Sequence, residues 1–115
     1  MHELSIAISI IDMVQEEAEH RHASRVEAIH LKLGPLSGVV REALEASYEI
    51  AAEDTPLKGT RLVIENVPVV VYCSACDQQQ QLESIQNFTC PACGSPTPDV
   101  IHGKELEVVS MEIIE

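Results

Sequence analysis

Apolar residues recur at Leu4, Ile8, Ile11, Val14 and Ala18, three or four positions apart, the spacing of one helix face. Ile6, Ile10 and Met13 widen that stripe, which predicts a helix well buried on one side. Glu16, Glu17 and Glu19 mark its wet side. His20, Arg21 and His22 fall in the last turn, where positive charge complements the helix dipole. The helix is expected over 4–22. The period then changes. Ile29, Leu31 and Leu33 alternate with His30 and Lys32, predicting a strand over 25–33 that Gly34-Pro35 ends. Ser37 is the expected N-cap of a second helix over 38–52, with Val40, Leu44, Ser47, Tyr48 and Ala51 as its inner stripe. Thr55-Pro56 stops that helix and Gly59 turns the chain. A second strand is expected over 60–67, with Leu62 and Ile64 on one face, and a third over 104–114. In the third, Leu106, Val108, Val109, Met111 and Ile113 break strict alternation, which calls for a bulge near Val108-Val109 or burial on both faces.

The stretch from 69 to 103 differs from the rest. It holds every cysteine and the run Gln78 to Gln81, and it is too short and polar for its own apolar core, so it needs a staple. The expected architecture is α/β: a small three-stranded sheet with two helices, plus a minidomain over 69–103 inserted between the last two strands. Residues 1–68 and 104–115 make the main domain. With aromatics at 3%, that core is built from Ile, Val, Leu and Ala. The formal net charge of -12 repels phosphate backbones, and no aromatic platform is present to stack bases, so nucleic acid is excluded as a partner. Metal cations or a basic protein suit such a surface. No apolar run reaches the length of a membrane span, and the Met1-His2-Glu3-Leu4 start lacks the basic residues of a secretory signal. The expected location is cytoplasmic, with no membrane partner.

In that compartment cysteines more often bind metal than form disulfides. Cys73-Ser74-Ala75-Cys76 and Cys90-Pro91-Ala92-Cys93-Gly94 are two CxxC pairs with a hairpin-length segment between them, the pattern of a zinc ribbon. Each CxxC turns tightly, points two sulfurs at one centre and offers backbone N–H groups to the thiolates. Gly94 suits the tail of such a turn, where a positive φ is convenient. Four thiolates with no open position make a closed, structural zinc site. Iron in the same sulfur cage is the rival, although an electron carrier leaves the other two-thirds of the chain without a role; disulfides rank below both.

At the other end, a free α-amine, a backbone amide and the imidazole of His2 can close fused chelate rings on one ion. Nickel(II) and copper(II) favour such nitrogen-rich planar sets. His2 is bulky, so Met1 is expected to escape removal and remain in the ligand set. Glu3 supplies a carboxylate, as a ligand or as an anchor for the imidazole. The plain alternative is a frayed terminus, with Glu3 favouring the helix start. His20 and His22 read as surface residues at a helix end, His30 as outward on its strand, and His102 as a turn residue before Gly103. The chain shows no nucleophile paired with a base, no phosphate loop and no open zinc site, so an enzyme is not expected.

The opening Met1-His2-Glu3-Leu4-Ser5 resembles that of the HypA/HybF family of nickel metallochaperones. Further resemblances follow in the family's order: Leu33-Gly34-Pro35-Leu36-Ser37-Gly38-Val39, the two CxxC pairs, Cys90-Pro91-Ala92-Cys93-Gly94-Ser95, and Gly103-Lys104-Glu105-Leu106 running into Met111-Glu112-Ile113. The likeness covers essentially the whole chain. It implies transient Ni(II) binding and delivery during maturation of [NiFe]-hydrogenase, in some organisms of urease too. The partners it implies are a HypB-type GTPase and the hydrogenase large subunit. It implies His2 as the nickel ligand, with the Met1 amine and Glu3 nearby, and Cys73, Cys76, Cys90 and Cys93 as ligands of structural Zn(II). On this basis the main domain is nickel-binding and the minidomain zinc-binding. Some relatives carry a supporting carboxylate where this chain has Val40, flanked by Arg41 and Glu42. The long zinc-domain insert of some archaeal relatives is absent.

Overall fold

The computed structural model describes residues 2–115. The elements run α1 (His2–His20), β1 (Arg25–Leu33), α2 (Arg41–Ala52), β2 (Arg61–Asn66), β3 (Val69–Cys73), β4 (Gln78–Leu82), β5 (Asp99–His102) and β6 (Leu106–Ile114). They form two three-stranded sheets, ordered β2-β1-β6 and β4-β3-β5.

The first sheet is built on β1, which pairs in parallel with β2 and antiparallel with β6. Ile29, Leu31 and Leu33 point inward and join Ile64, Val108, Met111 and Ile113 in one core with both helices. The other face is mostly polar, with the small Ala28 covered at its centre. Arg61, Ala28 and Glu112 form one row across it, and Glu65, Lys32 and Glu107 another. One packed and one solvated face is the ordinary economy of a small open sheet. The broken alternation in β6 is a bulge: His30 pairs with Ser110 and Leu31 with Val108, leaving Val109 without an opposite number.

Several expected details shift. α1 starts at His2 and ends at His20, where His22 adopts φ 55°. The His22 N–H donates to Glu19 O at 3.1 Å and the Ala23 N–H to Ala18 O at 2.9 Å, a Schellman stop. The buried face of α1 is Ala7, Ile10, Ile11, Val14 and Ala18, while Ile8 (47%) and Met13 (50%) stay exposed. α2 begins at Arg41 rather than 38, and Ser37 is not its cap: the Ser37 hydroxyl accepts the Val39 N–H at 3.2 Å, a bond that shapes the preceding loop instead. Val40 holds the N-cap position and is 57% exposed, leaving Leu44, Tyr48 and Ala52 as the buried stripe. A buried polar tie fastens α2 to the sheet: the Tyr48 hydroxyl donates to Thr60 O at 3.0 Å, and the Thr60 hydroxyl to Val26 O at 2.7 Å.

The second sheet lies between β2 and β6 in the sequence. β3 is its centre, flanked by β4, which contains Gln78 to Gln81, and by β5. It does own a small core, contrary to expectation: Val69, Val71 and Leu82, with Leu36, Phe88 and Val100 against them. Leu36 comes from the loop after β1, so the first sheet's chain plugs the second sheet's core.

Both joints sit at one end of β1, because Leu33 pairs with Asn66 at the exit of β2 and with Leu106 at the start of β6. The loop after Leu33 is threaded through them. The Gly34 N–H donates to Glu105 O at 2.8 Å, and the Leu36 N–H to Gly103 O at 2.8 Å. A Cβ on Gly34 would sit 2.1 Å from the Gly103 carbonyl oxygen, and one on Gly103 would meet Val69 at 3.0 Å. The Glu105 carboxylate accepts the Gly103 N–H at 2.7 Å and pairs with His102 at 2.9 Å, which holds its carboxyl below the usual range.

Replacing Gly34 by Ala is expected to cost on the order of 3 kcal/mol or more, by backbone overlap. The same change at Gly59, at φ +85° in open space, should cost only about 1 kcal/mol, through left-handed strain alone. Denaturant midpoints of the two variants check this; equal losses would show that the crossing has room to relax.

Tyr48, buried against the sheet, has its phenol pushed up to about 12. Above pH ~10 an unfolded tyrosine ionises while this one keeps its proton, so the unfolded chain binds fewer protons and stability falls with pH. A loss on the order of 2 kcal/mol is expected between about pH 10 and 12, present in the parent and reduced in Tyr48→Phe when both are titrated with denaturant.

Candidate metal centres

Two CxxC turns face each other at one end of the second sheet. The first leaves β3, whose last residue is Cys73, and returns into β4 at Gln78. The second lies between Phe88 and Thr97, closed by the Thr97 N–H donating to Phe88 O at 2.9 Å. The two turns share one design: the residue after the second cysteine is left-handed in each, Asp77 at φ 53° and Gly94 at φ 78°. Glycine takes that conformation freely. Asp77 is held there while its carboxylate accepts the Tyr72 hydroxyl, a bond that raises the phenol's pKa. In the second turn the Gly94 N–H donates to Cys90 O, and the Cys90 N–H to Ser95 O, both at 2.8 Å.

The turns bring Cys73, Cys76, Cys90 and Cys93 together, with all four sulfurs within 4.8 Å of one another. The Cys73–Cys93 sulfurs are 3.5 Å apart and the Cys76–Cys90 sulfurs 4.0 Å. A tetrahedron with metal–sulfur bonds of about 2.3 Å has edges of about 3.8 Å, so the spacing fits a zinc-sized ion. None of the four is in a disulfide. The Cys76 N–H lies 3.5 Å from the Cys73 sulfur, the N–H···S contact that such turns provide.

The thiols do not ionise alike. Cys93 is brought down to about 6 by the Ser95 hydroxyl and backbone N–H, its neighbouring thiols adding to this. Cys76 is pushed up to about 12, chiefly by its hydrogen bond with Cys93, then with Cys73. Four sulfurs this close cannot all carry negative charge unless a cation sits among them. The cluster can therefore hold a metal ion, and its ligands leave no position for a substrate. Ser95 was not anticipated; its place two residues beyond Cys93 is the sequence signal.

The second candidate centre lies at the start of α1. An α-helix of this length spans about 28 Å and the nine-residue β1 about 30 Å. Running back along the sheet, α1 therefore sets its first residue level with the Leu33 end of β1, where the loop 34–39 emerges. His2 Nε2 lies 3.1 Å from Glu3 Oε2 and 3.1 Å from the Gly38 carbonyl oxygen. The imidazole is largely open (62%), while Glu3 is mostly covered (15%). Glu3 also occupies the first turn, where a negative charge is favoured. Backbone N–H groups at a helix start have no acceptor within the helix, so an amide there that ligates a metal gives up a proton but no helical hydrogen bond. The amine of Met1 falls outside the described residues. Glu42 makes no hydrogen bond or ion pair among the described residues, and Val40 brings no carboxylate. The other histidines are engaged elsewhere or exposed: His30 pairs with Glu112 at 2.6 Å and His102 with Glu105.

Comparison with known proteins places these features in a family. The family model described as "Hydrogenase/urease nickel incorporation, metallochaperone, hypA" matches residues 1–113. A hydrogenase maturation factor HypA from Chloroflexus aurantiacus is 46% identical over 112 residues, covering 97% of this chain and 98% of that protein. One from Thermomicrobium roseum is 39% identical over 128 residues, with 98% of each covered. The solution structure of the Ni metallochaperone HypA from Helicobacter pylori matches with a TM-score of 0.66 at 21% identity, over 97% of both chains. A second HypA solution structure matches at 0.73 and 23%, over 99% of this chain and 97% of that one. At such identities the two structures speak to the fold.

Proposed function

This chain belongs to the HypA family of hydrogenase and urease nickel-incorporation metallochaperones, and we infer from that premise that it carries Ni(II) to a [NiFe]-hydrogenase during maturation. The family is not a catalytic one. The nickel is bound in transit by His2, with the Met1 amine and Glu3 nearby, Glu3 as a ligand or as an anchor for the imidazole. A structural Zn(II) is held by Cys73, Cys76, Cys90 and Cys93. In this reading residues 1–68 and 104–115 form the nickel-binding domain, and 69–103 the zinc-binding minidomain. A HypB-type GTPase and the hydrogenase large subunit are the partners, urease is a further client class, and the work is done in the cytoplasm. No helix of the described residues is long and apolar enough to cross a membrane.

The observation that carries the reading is the family match over 1–113 together with His2 and Glu3 side by side at an open helix start. The chemistry agrees with it. Four sulfurs around one ion release it slowly, because unbinding costs the fold of the minidomain. Nitrogen ligands at an exposed chain end exchange readily and select nickel over harder ions. Binding must displace protons from the amine and imidazole, so acidification weakens it. When bound, the zinc would supply folding free energy, with all four thiolates as its ligands.

Nickel is expected to bind the parent protein with a micromolar-range Kd, about -8 kcal/mol. His2→Ala should lose that binding in calorimetry while retaining its zinc on elemental analysis, and cells carrying it should accumulate nickel-free hydrogenase. Equal nickel affinity in the variant would remove His2 from the assignment.

A strong chelator, or Cys76→Ser, should release one zinc per chain and erase backbone amide protection across Val69–Cys73 and Gln78–Leu82. Retained protection without metal would mean that the small apolar core alone holds that sheet. Iron rather than zinc in the protein, visible as red colour, would reverse the structural assignment.

A further inference from the structure

Among the contacts at the helix start, the bond to Gly38 joins residues far apart in sequence and involves a group that cannot itself bind as a side chain. A carbonyl oxygen only accepts. The contact of the Gly38 oxygen with His2 Nε2 at 3.1 Å is therefore made by the tautomer that carries hydrogen on that nitrogen, and the Glu3 carboxylate oxygen lies at the same distance. The lone pair of the neutral ring is then on Nδ1.

The acceptor is well held. The Leu36 N–H is tied to Gly103 O, the Ser37 N–H to Gly34 O at 3.1 Å, and the Val39 N–H to the Ser37 hydroxyl at 3.2 Å. Leu36 is seated in the core of the second sheet. Gly38 itself is left-handed at φ +81°, with nothing near the place of a Cβ, so its glycine serves the direction of the peptide rather than packing. The loop thus aims a fixed carbonyl at an otherwise open imidazole.

We propose that the Gly38 carbonyl is a positioning group for nickel capture: it fixes the His2 ring in the tautomer and rotamer that leave Nδ1 free for the metal. Nδ1 is the ring nitrogen nearer the backbone, from which short chelate rings close with the His2 amide nitrogen and the α-amine. Closure through Nε2 would have to reach around the far side of the imidazole. A ligand pre-set in this way has less freedom to lose on binding, and a hydrogen bond on the remote nitrogen makes the ligating one more basic. The proposal rests on the nickel reading given above and extends it to the loop.

The test uses the full chain, assembled by ligating a synthetic segment 1–72 to a segment beginning at Cys73. In metal-free wild type, ring nitrogen shifts from long-range proton–nitrogen spectra should show hydrogen on Nε2. Gly38→Ala, strained at that positive φ and expected to relieve the strain by turning the carbonyl off the imidazole, should give mixed tautomers and about five- to tenfold weaker nickel binding, the scale of one hydrogen bond. D-alanine at 38, which accepts a positive φ, should restore both readouts. An Nε2-methyl histidine at position 2 should show the same fall and no further fall when combined with Gly38→Ala; Nδ1-methyl histidine should not bind nickel. Unchanged tautomer and affinity in Gly38→Ala, an equal loss with D-alanine, or binding by the Nδ1-methyl but not the Nε2-methyl form would each overturn the proposal. Wild-type affinity in His2→Ala would instead defeat the underlying nickel reading, and the tautomer measurement, made without metal, keeps the two failures apart.

Discussion

Backbone meets backbone where Gly34 crosses Gly103, and both halves of the molecule are built out from that crossing. There is no room for a side chain on Gly34, since its Cβ would lie 2.1 Å from a carbonyl oxygen. The close approach lets Leu36 reach the second sheet's core and lets the Gly34 N–H pair with Glu105. It also sets where the loop ends, and so where the Gly38 carbonyl is delivered. The two candidate centres lie in different parts of the molecule, yet the loop that touches His2 is anchored on the linker that leaves the cysteine-bearing sheet.

Chemistry divides between those centres by exposure and donor type. The sulfurs are gathered by two turns whose backbone geometry is stiffened by left-handed residues and N–H contacts, with Cys73 and Cys90 buried and Cys93 at the surface. The imidazole stands largely in solvent at a helix end, steadied by two oxygen acceptors. A fully coordinated ion in the first kind of site stays; an ion on a few nitrogens in the second can be passed to a better ligand set.

Much of this was legible in the residues. Alternation at Ile29, Leu31 and Leu33 was enough for β1, because it follows from local periodicity. The CxxC spacing carries the convergence of four sulfurs for the same reason. The broken phase at Val108-Val109 left a bulge and burial on both faces as alternatives, between which the pairing with β1 decides. What escaped depends on contacts distant in sequence. Ser37 looks like a cap until the loop after β1 is known to be threaded through the linkers, which gives its hydroxyl a nearer amide to serve. Val40 looks like core by spacing but falls at a helix start turned to solvent. Gly34 reads as a strand end, and its partner Gly103 is unguessable without the pairing of Leu33 with both Asn66 and Leu106. Leu36, between Pro35 and Ser37 in a loop, gives no hint that it completes another sheet's core.

The joints at the Leu33 end also bear on how the chain comes together. β6 must find β1 across everything from 67 to 105, and closing a flexible loop of that length costs about 3 kcal/mol of entropy by length alone. Once the second sheet has formed, Val70 stands opposite His102, so the ends of the segment are already neighbours and the remaining gap is a few residues, for which the same expression gives roughly 1 kcal/mol. Ordering of the inserted sheet thus delivers the last strand to its place, and the chain from Val69 onward acts as a clasp whose fastening helps shut the part made first.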